Sequence, residues 1–178
     1  ARWVLAEIDI IPRALLVSVR EQLEGKTRNT SAIPVKALRD TCEFLEEELE
    51  EIYPGANIKF PIDQQGAKYV FFPAVSDYLL EADTLMGNAA MLHATGTSWT
   101  IGSQNFDGID YGLFYSDRVW ERIIRAQVDE VHRLGGSVML IGECGHASRA
   151  ARDGMRHFIP ESERVEVVNI MELAHKHF

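Results

Sequence analysis

Residues 137–152, Ser-Val-Met-Leu-Ile-Gly-Glu-Cys-Gly-His-Ala-Ser-Arg-Ala-Ala-Arg, decide the fold. A short apolar run, Val138 to Ile141, breaks at Gly142. Cys144 and His146 follow at once, and an Ala/Arg-rich helical pattern begins directly after. The reading is strand, tight turn, helix, with a thiol at the turn. In an open α/β sheet the carboxyl ends of the strands line the ligand crevice. A thiol at a helix N-terminus meets unpaired backbone N–H groups and the positive end of the helix dipole, which favour the thiolate. That is the form that attacks electrophiles and binds metals. A cysteine at a strand end also serves as a small buried apolar residue, and both readings stand at this point.

The rest of the chain repeats the α/β rhythm. Val165 to Val168 is a final strand and Met171 to His177 a final helix. Upstream, Ala67 to Phe72 reads as a strand closed by Pro73, with a shorter candidate at Ile58 to Ile62. A helix capped by Ser76 or Asp77 runs to about Thr95, with Leu79, Leu80, Leu85, Met86, Ala89, Ala90 and Leu92 as core positions. Trp99 to Ile101 is a short strand. After the Gly-rich loop 102–112, one helix spans Leu113 to Leu134, with Trp120, Ile123, Ile124, Val128, Val131 and Leu134 inside. Strands separated by helices predict a three-layer α/β domain with a mainly parallel sheet, a Rossmann- or flavodoxin-like half.

Two helical segments precede it. Residues 2–23 are amphipathic around Trp3, Leu5, Ile8, Leu15, Leu16 and Val19, interrupted by Pro12. Pro34 opens a second helix in which Leu38, Cys42, Leu45, Leu49 and Ile52 recur at helical spacing, so Cys42 is expected in the core. The expected division is a helical extension over 1–56 and an α/β domain over 57–178. The pattern is already under way at Arg2 and stops within a helix at Phe178, which leads to the expectation of a piece of a larger protein.

Composition narrows the function. The chain has 178 residues, 46% of them hydrophobic, enough for one real core. A net charge of −9, from 27 acidic and 18 basic residues, argues against a nucleic-acid surface. No run approaches a membrane span, so no direct membrane insertion is expected. Two cysteines make no disulfide framework, and a cytoplasmic setting is the default.

No Gly-rich phosphate motif and no Gly-x-Ser-x-Gly elbow is present. A Cys144–His146 nucleophilic pair and a zinc site of Glu143, Cys144 and His146 are open alternatives. The loop Asn105 to Gly112 holds two carboxylates and two glycines at the carboxyl edge of the sheet. Helix capping accounts for Asp110 and leaves Asp107 without an obvious task.

Four segments together resemble one family. They are Phe72-Pro73-Ala74, Ala94 to Thr100, Phe106 to Phe114, and Gly142-Glu143-Cys144-Gly145-His146-Ala147. They resemble the iron–sulfur oxidoreductases related to the cysteine-rich catalytic subunit of heterodisulfide reductase, over most of the chain and most strongly from Phe71 to Ala151. The resemblance implies two cysteine-rich α/β copies, of which an intact one holds a [4Fe-4S] cluster through a Cys-Cys-Gly motif and a later Cys-x-x-Cys. Electrons would arrive from a ferredoxin-like domain and reach a disulfide or quinone-like acceptor. This chain looks like the first, degenerate copy. Asp107-Gly108 to Asp110-Tyr111-Gly112 stand where Cys-Cys-Gly would fall, and Cys144-Gly145-His146-Ala147 where Cys-x-x-Cys would fall.

On that resemblance Cys144 and His146 are the catalytic candidates. Glu143, Gly145, Asp107 and Asp110 face the cofactor, and Cys144 is the one residue offered to a metal. The cluster itself belongs to the full-length parent, with none expected in this chain alone. The implied partners are the second copy, the ferredoxin-like domain and other subunits of a redox complex, peripheral to a membrane. The alternatives are a non-catalytic packing module and a flavodoxin-like binder of a small anionic ligand.

Overall fold

Four short apolar runs build one sheet. In the computed structural model, which describes residues 2–8, 10–78 and 80–178, they are β1 (Tyr69–Phe72), β2 (Trp99–Ile101), β3 (Val138–Ile141) and β4 (Glu166–Asn169). Leu79 and the side chain of Trp3, both expected to be apolar contacts, lie outside the described residues. The order is β2-β1-β3-β4 and every pairing is parallel. Tyr69 pairs with both Trp99 and Val138, so β1 and β3 form the centre. The three-layer α/β architecture expected from the sequence is therefore present.

The helices are α1 (Arg2–Glu7), α2 (Arg13–Glu24), α3 (Val35–Ile52), α4 (Ala82–Ala94), α5 (Tyr111–Tyr115), α6 (Asp117–Arg133), α7 (Gly145–Phe158) and α8 (Ile170–His177). The strand pleat sends alternate side chains to opposite faces. Phe71, Val138, Leu140 and Val168 pack with α3, α4 and α8 through Leu38, Cys42, Leu49, Leu85, Leu92 and Leu173. Val70, Phe72, Met139 and Ile141 pack with α6 and α7 through Trp120, Ile124, Val128, Val131, Ala150 and Met155. Thus α3, from the N-terminal segment, belongs to the same core as the sheet.

Several boundaries differ from the sequence reading. Residues 58–62 form no strand. Ile58 and Phe60 are buried, but only Ile62 makes a bridge, to Ile101. The helix expected from Ser76 or Asp77 is a 3₁₀ turn, Val75–Tyr78, followed by α4 with Glu81 as its N-cap. Leu80 is consequently 82% exposed and not a core residue. The single helix expected from 113 to 134 is two. Ser116 interrupts it and caps α6 by accepting from Val119 N at 3.2 Å. Leu5, Ile8 and Ile52, read as apolar contacts, are exposed.

Candidate functional site

The strand order creates one crevice. From β1 the chain crosses through α4 to β2 on one side, then returns through α5 and α6 to β3 on the other side. Right-handed crossovers in opposite directions place α4 and α6 on opposite faces. Beyond the carboxyl ends of β1 and β3 this leaves the topological switch point, where open α/β sheets bind ligands.

A cleft of about 370 Å³ lies there. Three loops wall it: Pro73 to Ser76 after β1, Gly108 to Tyr111 after β2, and Cys144 with Ala147 after β3. The β1 and β3 ends approach closely. Gly142 N donates to Phe72 O at 3.0 Å, and a Cβ on Gly142 would come within 3.2 Å of Ala74 N and 3.3 Å of Pro73 Cα. Asn169 closes the turn from β4, donating to Gly142 O at 2.7 Å and pairing with Ser148 Oγ at 2.6 Å.

Cys144 caps α7. Its Sγ accepts from Ala147 N at 3.5 Å, and its side chain is half-buried against the apolar layer under α7. Glu143, Gly145 and His146 are exposed on the same turn. The His146 ring meets Phe114 of α5 edge-on, 5.5 Å between centroids. Asp110 lines the cleft and makes no side-chain cap hydrogen bond. Burial raises its carboxyl above the ordinary range, while a hydrogen bond from its own backbone N–H and then the nearby His146 pull it back. The structure thus brings Cys144 and Asp110 to one opening, with His146 near enough to act on the Asp110 carboxyl and Glu143 and Gly145 exposed beside Cys144 without lining the cleft.

Asp107 is placed differently. It is 2% exposed, and its carboxylate accepts from Thr30 N at 3.0 Å and Thr30 Oγ1 at 2.8 Å. Its carbonyl accepts from Gln22 Nε2 at 2.7 Å and Gln127 Nε2 at 2.8 Å. The group anchors the wall of the cleft to the N-terminal segment and does not line the opening. Gly108 follows at φ +66°, where a Cβ would collide with Thr30 Cγ2, so glycine is required.

Two participants carried no local signal. Leu80 stands at the mouth of the cleft. Asp77 is fully buried behind Ala74, donates nothing, and accepts from Ala74 N at 3.2 Å through Oδ2, while Oδ1 has no partner in the protein. Burial, then the charge of Glu143, pushes its carboxyl up to about 6. A strand closed by Phe72-Pro73 hinted at a sheet edge, but which strands are neighbours is not written in one sequence.

The donor set does not fit a [4Fe-4S] cluster, which takes four thiolates. Cys144 is the one thiol at the cleft, and Cys42 is 2% exposed in the layer under α3 and α4. Among the described residues, no group of three or more His, Cys, Asp or Glu could hold a metal ion, so Glu143, Cys144 and His146 do not form a zinc site. Nor is any helix there long and apolar enough to cross a membrane.

Comparison with family models, with curated proteins and with solved structures finds no match. The resemblance described above rests on the quoted residues.

Proposed function

We propose that this chain is one α/β domain of an iron–sulfur, heterodisulfide-reductase-like electron-transfer protein, and that Cys144 is the residue it contributes to the shared crevice. The observation that supports this reading is the half-buried Cys144 thiol on the wall of the switch-point cleft. Any cluster is held by a second cysteine-rich domain of the parent, since this chain's own residues do not fit one. What this chain supplies is a thiol that exchanges with a sulfur substrate, and an imidazole at His146 that donates a hydrogen bond or a proton there. The ferredoxin-like domain and further redox subunits are the partners this reading requires, in a cytoplasmic complex peripheral to a membrane.

The test is Cys144→Ala in the full-length parent. Loss of disulfide-reductase turnover of about a hundredfold or more, with the melting temperature within a few degrees of the native protein, supports the reading. His146→Ala should lose less, because a group that orients or protonates is more dispensable than the nucleophile. Unchanged turnover and an unchanged electron paramagnetic resonance spectrum for Cys144→Ala would favour the packing module. The strand order 2-1-3-4, shared with flavodoxin-like sheets, favours a second reading as a small-ligand binder, for which calorimetric titration with flavin mononucleotide is the direct test.

A further inference from the structure

The cleft carries a charge pattern with a consequence for what reaches Cys144. Among the described residues, no lysine or arginine lines it. Most of its wall is apolar, from Pro73, Val75, Ile109 and Ala147 to the exposed Leu80 at its mouth. The Asp110 carboxylate is part of that wall, with no hydrogen bond from the helix it precedes. Glu143 is the residue before Cys144 and is exposed. Asp77 is fully buried behind the β1 loop, close enough to Glu143 to feel its charge. Against these carboxylates stand the α7 N-terminus, worth about half a unit of positive charge and already donating to Cys144 Sγ through Ala147 N, and the exposed His146 ring beside Phe114. Negative charge outweighs positive around the thiol.

We infer that the Cys144 cleft takes small disulfides with an apolar body and an uncharged or cationic end, and rejects anionic ones. The inference rests on the reading of Cys144 as an exchanging thiol and specifies its substrate class. A volume of about 370 Å³ suits a small molecule. In the exchange step the Cys144 thiolate attacks one sulfur of RSSR. The Sγ–S bond forms, the RS–SR bond breaks, and RS⁻ leaves and takes a proton from water. Sulfur is conserved, and no outside oxidant or reductant is needed. Carboxylates near the thiol repel an anionic disulfide before that step and attract a cationic one, by an amount that salt screens.

The experiment uses three disulfides of similar size: cystamine (cationic), 2-hydroxyethyl disulfide (uncharged) and 3,3′-dithiodipropionate (anionic). Each is mixed with the folded chain at about pH 8 and low salt, and the mixed disulfide at Cys144 is timed by peptide mass spectrometry. Every rate is divided by that of the urea-unfolded chain, which removes intrinsic reactivity. The expected normalised rate for cystamine is roughly tenfold above that for dithiodipropionate, with the uncharged reagent between them. Glu143→Gln, at an exposed position that does not threaten folding, and Asp110→Asn should each narrow the ratio about threefold. Glu47→Gln, the same change of charge on α3, should leave it. A ratio near one, a faster dianion, or equal narrowing by Glu47→Gln overturns the inference while leaving Cys144 an accessible thiol. A folded chain whose Cys144 reacts with none of the three overturns both the inference and the exchange role beneath it.

Discussion

Thr30 and Asp107, 77 residues apart in the chain, are joined by backbone and side-chain hydrogen bonds inside the protein, Thr30 N at 3.0 Å and Thr30 Oγ1 at 2.8 Å from the carboxylate. This contact ties the loop between α2 and α3 to the wall of the Cys144 cleft. It also holds a carboxylate where water does not reach. Burial raises Asp107 to about 6 from its usual 3.8, while the two Thr30 donors pull it down. A folded-state value above the unfolded one means that this group's stabilising contribution is full below about pH 4 and is lost as the pH rises through about 6.

Thr30→Val should therefore cost more at high pH than at low pH. It removes the Oγ1 donor and leaves the buried charge with fewer partners. The expected loss is about 1 kcal/mol at pH 5 and about 2–3 kcal/mol at pH 8. Urea unfolding at the two pH values measures it, and an equal loss at both would contradict the buried-charge account.

Asp77 makes a related prediction from the other side of the cleft. It too is raised to about 6, by burial first and by Glu143 and Glu81 as like charges. Asp77→Asn keeps an oxygen for Ala74 N and puts a neutral amide where Oδ1 has no partner. The native chain should lose stability between pH 5 and pH 8 by this group's share, about 1–2 kcal/mol, and the variant should not. Parallel curves of melting temperature against pH for the two proteins would refute this.

The two cysteines should differ sharply toward iodoacetamide. Cys42 is 2% exposed, and burial with the nearby Glu46 pushes its thiol up to about 12. Cys144 is half-buried on an open cleft. In the folded chain at pH 8, labelling of Cys144 should exceed that of Cys42 by about a hundredfold or more, because burial denies Cys42 both the thiolate form and access to the reagent. Peptide mapping over time decides it, and comparable rates would show that α3 opens far more readily than its packing implies.

Gly112 sits in α5 where that helix crosses α6. A Cβ there would collide with Trp120 Cα and lie 2.7 Å from Trp120 N, both backbone atoms that cannot move aside alone. Gly112→Ala should cost at least about 3 kcal/mol, a fall in melting temperature of roughly 10 °C for a domain of this size. A loss below 1 kcal/mol would mean that α5 can lift away from α6 freely.

The legible parts of this fold were those carried by local pattern. Val138–Ile141 and Tyr69–Phe72 are apolar runs bounded by Gly142 and Pro73, and all four are buried in the first case. The six apolar contacts expected of α6 are likewise buried. The misreadings came where polar chemistry overrode spacing. Ser116 caps a new helix in mid-pattern, and the turn at Val75–Tyr78 carries Leu80 out to solvent. Cys144 at a turn was readable, because strand, glycine and helix are contiguous. Its meeting with Asp110 depends on β3 lying next to β1, and Asp107's burial depends on Thr30 and Gln22 from far upstream. Such partners leave no trace at the residue itself.

The sheet also separates the protein's two sulfur atoms. Cys42 belongs to the layer beneath α3 and α4, and Cys144 to the layer beneath α7. A disulfide needs Cα atoms within about 7 Å, and four strands of backbone stand between these two. The folded chain therefore forms no internal disulfide. A disulfide at Cys144 must reach outward, to a small thiol or to Cys144 of another molecule, and on a non-reducing gel the product is an adduct or a covalent dimer that reductant returns to monomer.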